Sequence, residues 1–228
     1  MSIEVVLPGL QTTIQDHGRY GCRHMGVPQS GAADLFSYKL ANFLLGQLPN
    51  AAVLECTLTG PRLRFLSNMQ IMISGADMQP EVNGSAIDMF TACRVQAGDE
   101  LIMQACLVGC RSYIAFSKDL ICDSFMGSRS TYLPAKLGGL NGKALASGDV
   151  IATTGDKLQQ GRRLESLENL GQNLSNDWVL TALPGPEFNA IDEASKKLLF
   201  SETYTVTNDS NRMGNRLIGP ELKIEKVD

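Results

Sequence analysis

Residues 59–65, TGPRLRF, set the expectation for the fold. Positions 62–65 alternate basic and apolar side chains, and this period of two is typical of a half-buried β-strand. Residues 3–15 are also extended in character, with a turn at a Pro-Gly pair. Further strand or turn signals, including an Asn-Gly hairpin signal, occur in MQIMISG (69–75), EVNGS (81–85), AGDEL (97–101) and SGDVI (147–151). We therefore predict that residues 1–155 are mostly β-structure.

The composition excludes several classes of protein. The chain has 228 residues, 43% of them hydrophobic, so it can bury a core and disorder is not expected. It combines 22 glycines with 6% aromatic residues, which favours strands joined by tight turns. The net charge of −4 excludes a broadly basic nucleic-acid-binding protein. Because no run of about 18 apolar residues occurs, we predict no membrane span.

The N-terminal segment and the cysteines indicate the compartment. Residues 1–10, MSIEVVLPGL, contain an acid and have no basic stretch, so we expect no secretory signal and a cytoplasmic protein. The six cysteines form no C-x-x-C motif, and in a reducing compartment we expect free thiols. With only two histidines, a His/Cys zinc site is not predicted, and we expect no metal in this chain.

The clearest helix signal lies at residues 32–46, where apolar residues recur at helical spacing. Ser30 or Asp34 is predicted to cap its start, and Gly46 to end it. The predicted buried face consists of Leu35, Phe36, Leu40, Phe43 and Leu44.

A polar stretch at residues 156–177 predicts a linker between two subdomains. The first is the β-rich subdomain 1–155, and the second, over 178–228, is the start of another β subdomain. We predict that the second begins with a strand over 178–186 and continues with an amphipathic helix from about 187 to 200.

One internal echo connects the two subdomains. TGPRLRF (59–65) and IGPELKI (218–224) share the pattern G-P-x-L-x-apolar. A genuine repeat would mean two related subdomains in tandem, of which the second is unfinished. That arrangement predicts an unpaired sheet edge, explained by truncation or by completion from another chain.

The loop over residues 16–34 concentrates polar chemistry. Asp16 and Arg19 together can orient a carboxylate or a phosphate, and Asp16 or a histidine can act as a general base. The alternative is a structural loop held by an Asp–Arg pair, with its glycines at positive φ. The polar residues of this stretch and its approach are Gln15, Asp16, His17, Arg19, His24, Ser30 and Asp34.

Other segments carry weaker signals of the same kind of chemistry. GSRST (127–131) can cradle an anion through backbone N–H groups and the Arg129 guanidinium, or it can be a plain polar turn. SNRMGNR (210–216) is a second polar cluster around a glycine. Glu55 lies in an apolar run and needs a partner, for which Arg19 or Arg212 would serve. GGLNGKA (138–144) has the wrong glycine spacing for a P-loop.

These loops resemble the carboxyltransferase-type subunit family, which includes the C subunit of 5-oxoprolinase, allophanate hydrolase subunit 2 and the KipI antagonist KipA. The same module forms part of urea carboxylase. The resemblance covers nearly the whole chain, and it is carried by PGLQTTIQDHGRYG (8–21), GVPQSGAAD (26–34), LECTLTGPRLRF (54–65), GSRSTY (127–132) and SNRMGNRL (210–217).

The resemblance implies a mostly β fold of cyclophilin-like β-barrel subdomains in tandem, with a few short helices. Family members continue beyond the segment that matches SNRMG, so relative to them this chain is C-terminally shortened and its second barrel is expected to be incomplete. The family also implies two partner proteins, a KipI-like B-type subunit and an A-type subunit.

The resemblance also implies the function that we expect. The chain would be one component of an ATP-dependent, 5-oxoprolinase-like hydrolase that opens the lactam of 5-oxoproline to glutamate, with ATP used at the level of the complex. The alternatives are a non-enzymatic KipI-binding regulator, a urea- or allophanate-type carboxyltransferase component, and an inactive truncated remnant.

The candidate site combines the first loop with the second polar cluster, which we expect to face each other across a cleft. The predicted catalytic residues are Asp16, Arg19 and Asp34. The predicted residues that bind a lactam or urea-like substrate are Gln15, Gly18, Pro28, Ser30, Gly31, Glu55, Arg129, Ser130, Asn211, Arg212 and Gly214.

Overall fold

A computed structural model describes residues 1–155, 177–212 and 214–224. The chain divides into two compact units, Met1–Asn176 and Asp177–Asp228. The predicted linker falls almost entirely on residues 156–176, which lie outside the described residues, so the linker stays a prediction.

The described part of the first unit consists of strands and one α-helix, α1 (Leu35–Leu45), which follows the second strand. Short 3-10 helices span Arg23–Met25 and Leu133–Ala135. The strands, in chain order, are β1 (Ser2–Leu7), β2 (Gln11–Gln15), β3 (Val53–Thr57), β4 (Arg62–Phe65), β5 (Met69–Asp77), β6 (Glu81–Val82), β7 (Ser85–Ala86), β8 (Cys93–Val95), β9 (Glu100–Ile102), β10 (Val108–Phe116), β11 (Asp119–Leu120) and β12 (Val150–Thr154).

These strands form two open antiparallel sheets. The first has seven strands in the order β11-β12-β1-β4-β9-β6-β7, and the second has five in the order β2-β3-β10-β5-β8. The turn between β1 and β2 lies at Pro8-Gly9, as predicted, and the Asn-Gly pair joins β6 to β7. The prediction of a mostly β fold with a few short helices is confirmed.

Alternating side chains divide the first unit into layers. Leu63 and Phe65 of β4 are fully buried in the main core, whereas Arg62 and Arg64 point to the other face and pair with Glu100. The main core also contains Ile3 and Val5 of β1, Leu54 and Cys56 of β3, Ile71 and Ile73 of β5, and Ile114 and Phe116 of β10. The opposite face of the five-stranded sheet packs against α1 through Val53, Met72, Tyr113 and Ala115.

Helix α1 begins after Asp34, one of the two predicted caps, and ends at Gly46 as predicted, but it buries only part of the predicted face. Asp34 caps it by accepting from the Ser37 N–H at 3.0 Å, and Gly46 ends it in a left-handed conformation. Phe36 and Phe43, predicted to be core residues, are 42% and 58% exposed. Leu40 and Leu44 of the predicted face are buried, and Leu35 packs against the same core. The other buried residues are Ser37, Tyr38, Ala41, Asn42 and Leu45, because helix docking turns those side chains towards the sheet.

The described part of the second unit corrects two sequence predictions. Residues 178–185 form no strand. The predicted helix from about 187 to 200 is two elements, a 3-10 helix at Pro186–Ala190 and an α-helix, α2 (Glu193–Ser201), which Asp192 caps. The break occurs because Ile191 and Asp192 adopt extended backbone angles.

The two segments that share the G-P-x-L-x-apolar pattern do not form the same structure. The first segment contains β4, whereas the second unit pairs β13 (Thr205–Val206) with β14 (Leu217–Ile218), and β14 lies at the start of the second segment. Within that segment, residues 221–224 contribute only one isolated bridge, from Ile224 to Ile191.

All six cysteines belong to the described residues and their thiols are free. None of the described helices has the length and apolar character needed to cross a bilayer.

Candidate active-site loop

Asp16 lies just beyond the end of β2 and is buried, with 2% of its surface exposed. Its Oδ1 accepts hydrogen bonds from the Gly18 N–H at 2.8 Å, from Ser128 Oγ at 2.7 Å and from Ser130 Oγ. Its Oδ2 accepts from the Arg129 N–H at 2.7 Å. Burial alone would raise the pKa of Asp16, but these four donors outweigh it and hold the pKa below its usual range.

Arg19 is 1% exposed and connects the loop to the segment 125–130. Its Nη2 donates to the Ser130 carbonyl at 2.6 Å, its Nε to the Phe125 carbonyl at 3.3 Å and its Nη1 to Ser30 Oγ at 3.0 Å. Burial lowers the pKa of Arg19, and the nearby charge of Asp16 opposes that shift. Asp16 and Arg19, both in the described part of the chain, are thus joined through Ser130 rather than by a direct ion pair.

Hydrogen bonds to the end of β2 explain why segments so distant in sequence meet. The Thr131 N–H donates to the Ile14 carbonyl at 3.0 Å, so segment 128–131 lies along the end of β2. Gln15, which is fully buried, donates from Nε2 to the Thr131 carbonyl at 3.2 Å. We call the buried assembly of Asp16, Arg19, Ser128 and Ser130 the loop lock.

Two glycines allow the two ends of the loop to cross. Gly18 and Gly31 both have positive φ, at 91° and 87°. A Cβ atom on Gly31 would lie 2.9 Å from the Gly18 nitrogen and from the His17 carbonyl carbon, and one on Gly18 would lie 2.8 Å from the Gln29 oxygen. Only glycine fits such an approach, so the positive φ expected of the loop's glycines is found at these two positions, while their predicted role in substrate binding stays a prediction.

The GSRST turn cradles an anion, but that anion is the Asp16 carboxylate of the protein itself. The Arg129 guanidinium, predicted to join this cradle, points elsewhere. It donates to the carbonyls of Asn50 at 3.2 Å and Leu120 at 3.5 Å and pairs with Asp119 at 3.6 Å. The turn therefore serves the loop lock, and its backbone donor is occupied.

Asp34 lies at the start of α1, and its carboxylate interacts with Ser37. Oδ1 accepts from the Ser37 N–H and Oδ2 from Ser37 Oγ. The Asp34 N–H donates to the Tyr113 hydroxyl at 2.7 Å. These contacts make Asp34 a helix cap that fixes the C-terminal end of the loop, whereas its predicted catalytic role stays a prediction.

Glu55 on β3 is 1% exposed and supports the same end of the loop. Its Oε2 accepts from the Ala33 N–H at 2.8 Å and from the Tyr113 hydroxyl at 2.9 Å, and Oε1 lies 3.6 Å from Arg111 Nη1. The predicted partner Arg19 is instead engaged in the loop lock. Burial and the Glu55 charge raise the pKa of Tyr113, so its hydroxyl stays protonated and donates.

The remaining predicted residues divide between the two units. Ser30, at φ 53°, and Pro28 lie in the loop. Asn211, Arg212 and Gly214 belong to the second unit, where Asn211 and Gly214 pair backbone to backbone at 3.0 and 3.2 Å. That they face the first loop across a cleft stays a prediction.

A surface depression of about 400 Å³ opens on the outer side of the loop. Its lining consists of Arg19, Tyr20, Gly21, Arg23, His24 and Gln29. The Tyr20 ring stacks on His17 with centroids 5.6 Å apart. Among the described residues, no group of three or more His, Cys, Asp or Glu side chains is arranged to hold a metal ion.

Sequence reasoning did not select several of these residues. Ser128 completes the loop lock, and the GSRST hydroxyls were the available signal for it. Arg111 and Tyr113 bind Glu55, but their placement depends on the register of β3 against β10, in which Glu55 lies opposite Tyr113. Nothing in a single sequence shows that register.

Known proteins resemble this chain along most of its length. Residues 25–227 match the family model "Carboxyltransferase domain, subdomain A and B". The chain is 35% identical to urea amidolyase of Lachancea kluyveri over 239 residues, covering all of this chain and 13% of that protein. It is 33% identical to the 5-oxoprolinase C subunit of Escherichia coli over 223 residues, covering 97% of this chain and 70% of that protein.

Solved structures agree with this result. The crystal structure of Kluyveromyces lactis urea amidolyase superposes with a TM-score of 0.88 at 32% identity, over 99% of this chain and 14% of that one. A crystal structure of TTHA0988 gives 0.84 at 28% identity, over 98% of this chain and 80% of that one. The chain thus spans only a small part of the urea amidolyases that it matches. Since the family model spans most of its length, this chain belongs to the carboxyltransferase domain family, subdomains A and B.

Proposed function

We propose that this carboxyltransferase-type protein works in an ATP-dependent, 5-oxoprolinase-like complex that opens the lactam of 5-oxoproline to glutamate. The observation that carries the proposal is the match to the 5-oxoprolinase C subunit, which extends over 70% of that protein in Escherichia coli and 68% in Haemophilus influenzae. The match to urea amidolyase covers 13% of that protein, so most of it lies outside the comparison.

In this proposal, Asp16 and Arg19 are positioning residues. A carboxylate that already accepts four hydrogen bonds and has a lowered pKa is a poor proton acceptor, which favours orientation over general-base catalysis. The Arg19 guanidinium donates hydrogen bonds to two carbonyl oxygens and one hydroxyl oxygen. Together they hold the loop in one shape, and a loop with one shape can present its outer polar groups to a substrate at low entropic cost.

ATP is expected at the level of the complex. In the glycine-rich segment 138–142, the Gly139 N–H donates to the Arg129 carbonyl and the Gly142 N–H to the Gly138 carbonyl, both at 2.8 Å. These donors are used within the chain, so the segment does not fit a nucleotide phosphate. We therefore assign no ATP contact to it and propose that the KipI-like B-type partner and the A-type partner contribute nucleotide binding. The free thiols are in keeping with a cytoplasmic complex.

The test is co-expression with the A- and B-type partner proteins, followed by an assay of ATP-dependent glutamate formation from 5-oxoproline. We expect turnover by the wild-type complex. Asp16→Asn should lower kcat at least about tenfold, because the loop loses its anchor, while KM and complex assembly change less. Asp192→Asn, which keeps a helix cap in the second unit, is the matched control and should leave turnover unchanged.

A urea-type carboxyltransferase component is the second candidate, favoured by the 35% identity and the TM-score of 0.88 to urea amidolyases. Replacing 5-oxoproline by urea in the same assay separates the two. ATP consumption that depends on urea and not on 5-oxoproline would overturn the first proposal. A stable complex that turns over neither substrate would favour a KipI-binding regulator, and a chain that aggregates without binding partners would favour a remnant.

A further inference from the structure

Arg23 and His24 border the depression on the outer side of the loop and take no part in the loop lock. The Arg23 guanidinium donates from Nη2 to Gln29 Oε1 at 3.3 Å, and within the described residues neither Arg23 nor His24 has a carboxylate partner. Arg19 also lines this depression, with the charge of Asp16 nearby. Arg23, which is cationic, and His24 therefore border an open volume without a carboxylate partner among the described residues.

We propose that this depression binds a small carboxylate anion, held by Arg23 with His24 and Gln29 beside it. A guanidinium presents two parallel N–H groups that match the two oxygens of a carboxylate, and such bidentate pairs are stronger than single neutral hydrogen bonds. The volume of about 400 Å³ suits a small organic acid. The inference rests on the proposed function, because 5-oxoproline and glutamate both carry a carboxylate.

Hydrogen bonds within the chain hold the backbone around the depression in place without a ligand. The Arg19 N–H donates to the Gln29 carbonyl at 2.8 Å, and the Gly26 N–H donates to the Arg23 carbonyl at 3.0 Å, closing a 3-10 turn. The buried Arg19 side chain ties this segment to Ser130. Since Arg23 and Gln29 are mounted on a fixed loop, less ordering entropy is lost when an anion binds.

The aromatic side of the depression offers a contact surface for the face of a ring. Tyr20 is 61% exposed and is stacked on His17, with an angle of 21° between the rings. The His17 Nδ1 atom is buried and has no hydrogen-bond partner among the described residues. A ligand with a flat ring and a carboxylate can therefore contact Tyr20 while its anion binds Arg23.

The test is direct binding to the full chain alone, measured by calorimetry or NMR shift changes. The probes are 5-oxoproline, its uncharged carboxamide and inorganic phosphate. We expect saturable binding of 5-oxoproline and at least about tenfold weaker binding of the carboxamide, because charge-assisted hydrogen bonds are lost. Arg23→Gln should weaken 5-oxoproline binding by a similar factor.

Arg94→Gln is the matched control, since Arg94 is an exposed arginine on β8 and should bind like wild type. Equal affinity for acid and carboxamide, or unchanged binding by Arg23→Gln, would overturn the proposal. Phosphate binding tighter than 5-oxoproline with the same dependence on Arg23 would also overturn it, in favour of a phosphate site.

The outcome can be separated from that of the proposed function. If the chain binds 5-oxoproline through Arg23 but the assembled complex forms no glutamate, the anion site stands and the function fails. If the complex forms glutamate and Arg23→Gln leaves its KM unchanged, the function stands and the anion site fails.

Discussion

The two compact units differ in how much of their structure is held by buried side chains and how much by local contacts. In the first, fully buried residues such as Phe65, Ile114 and Tyr113 fill two cores on either side of the five-stranded sheet. In the described part of the second, Ser195 is the one buried residue, whereas Val179 and Leu183 are 98% and 88% exposed. Its helix α2 is nevertheless formed, with Asp192 as cap and Lys196 paired to Glu193.

Local interactions hold helix α2, whereas burial holds the elements of the first unit. A nine-residue helix with a cap and an i,i+3 ion pair is marginal on its own, because it is short and exposed ion pairs contribute little. In the first unit, burial supplies several times more for each large side chain. We therefore expect the first unit to carry most of the stability, and the single tryptophan, Trp178, allows the second unit to be followed separately.

The largest difference between the units should come from removing one phenylalanine from each. Phe65→Ala should lower the free energy of unfolding of the first unit by about 3–5 kcal/mol, because it leaves a cavity in a closed core. Phe200→Ala, at a site 71% exposed, should change stability by less than about 0.5 kcal/mol. Urea titration followed by circular dichroism and by Trp178 fluorescence measures both, and equal effects would contradict the comparison.

Replacing one aspartate in each unit by asparagine compares the two units with the same chemical change. Asp16→Asn should cost about 2 kcal/mol, because an amide accepts fewer of the four buried hydrogen bonds and carries no charge. Asp192→Asn should change stability much less, since asparagine caps helices as well as aspartate. Thermal unfolding of the two variants checks this, and a harmless Asp16→Asn would mean that the loop lock is not structural.

The support behind the loop should have a smaller effect than the loop lock itself. Tyr113→Phe leaves Glu55 without one donor and the Asp34 N–H without its acceptor, and should cost about 1–2 kcal/mol. Tyr204→Phe in the second unit, where the residue is only half-buried, serves as control and should cost less. Hydrogen exchange at residues 32–34 should rise in Tyr113→Phe, and unchanged protection there would refute the assigned contact.

Acid should remove the contribution of Asp16 to the stability of the first unit. Because the folded-state pKa of Asp16 is lowered, its contribution is fully present above its unfolded pKa of about 3.9 and is lost as the pH falls towards the folded value. The stability difference between wild type and Asp16→Asn should therefore be constant near neutral pH and shrink below about pH 4. Urea titrations at stepwise lower pH measure it, and a difference that grows on acidification would contradict the assigned sign.

Much of the fold could be predicted because its signals are local. Alternation at positions 62–65 correctly predicted β4, and the Asp34 cap and Gly46 stop correctly bounded α1. Phe36 and Phe43, which were predicted to be buried and are exposed, show the limit of these local signals. Helical spacing tells which residues share a face, but which face meets the sheet depends on how the helix docks.

The candidate site divides in the same way. The loop at 16–34 stood out by composition, and its crossing glycines were predicted because positive φ is a local requirement. The loop lock was not predictable, since Asp16 and Ser128 are 112 residues apart and meet only through the pairing of segment 128–131 with β2.

The β-rich class, the ends of α1 and the polar loop could be inferred from the sequence, because alternation, capping and glycine chemistry act over a few residues. The tertiary structure alone decided that the GSRST turn binds Asp16, that Arg111 rather than Arg19 pairs with Glu55, and that Arg23 borders an open depression. Those outcomes depend on which strands lie side by side. That choice is made by burial of the whole core rather than by any local pattern of residues.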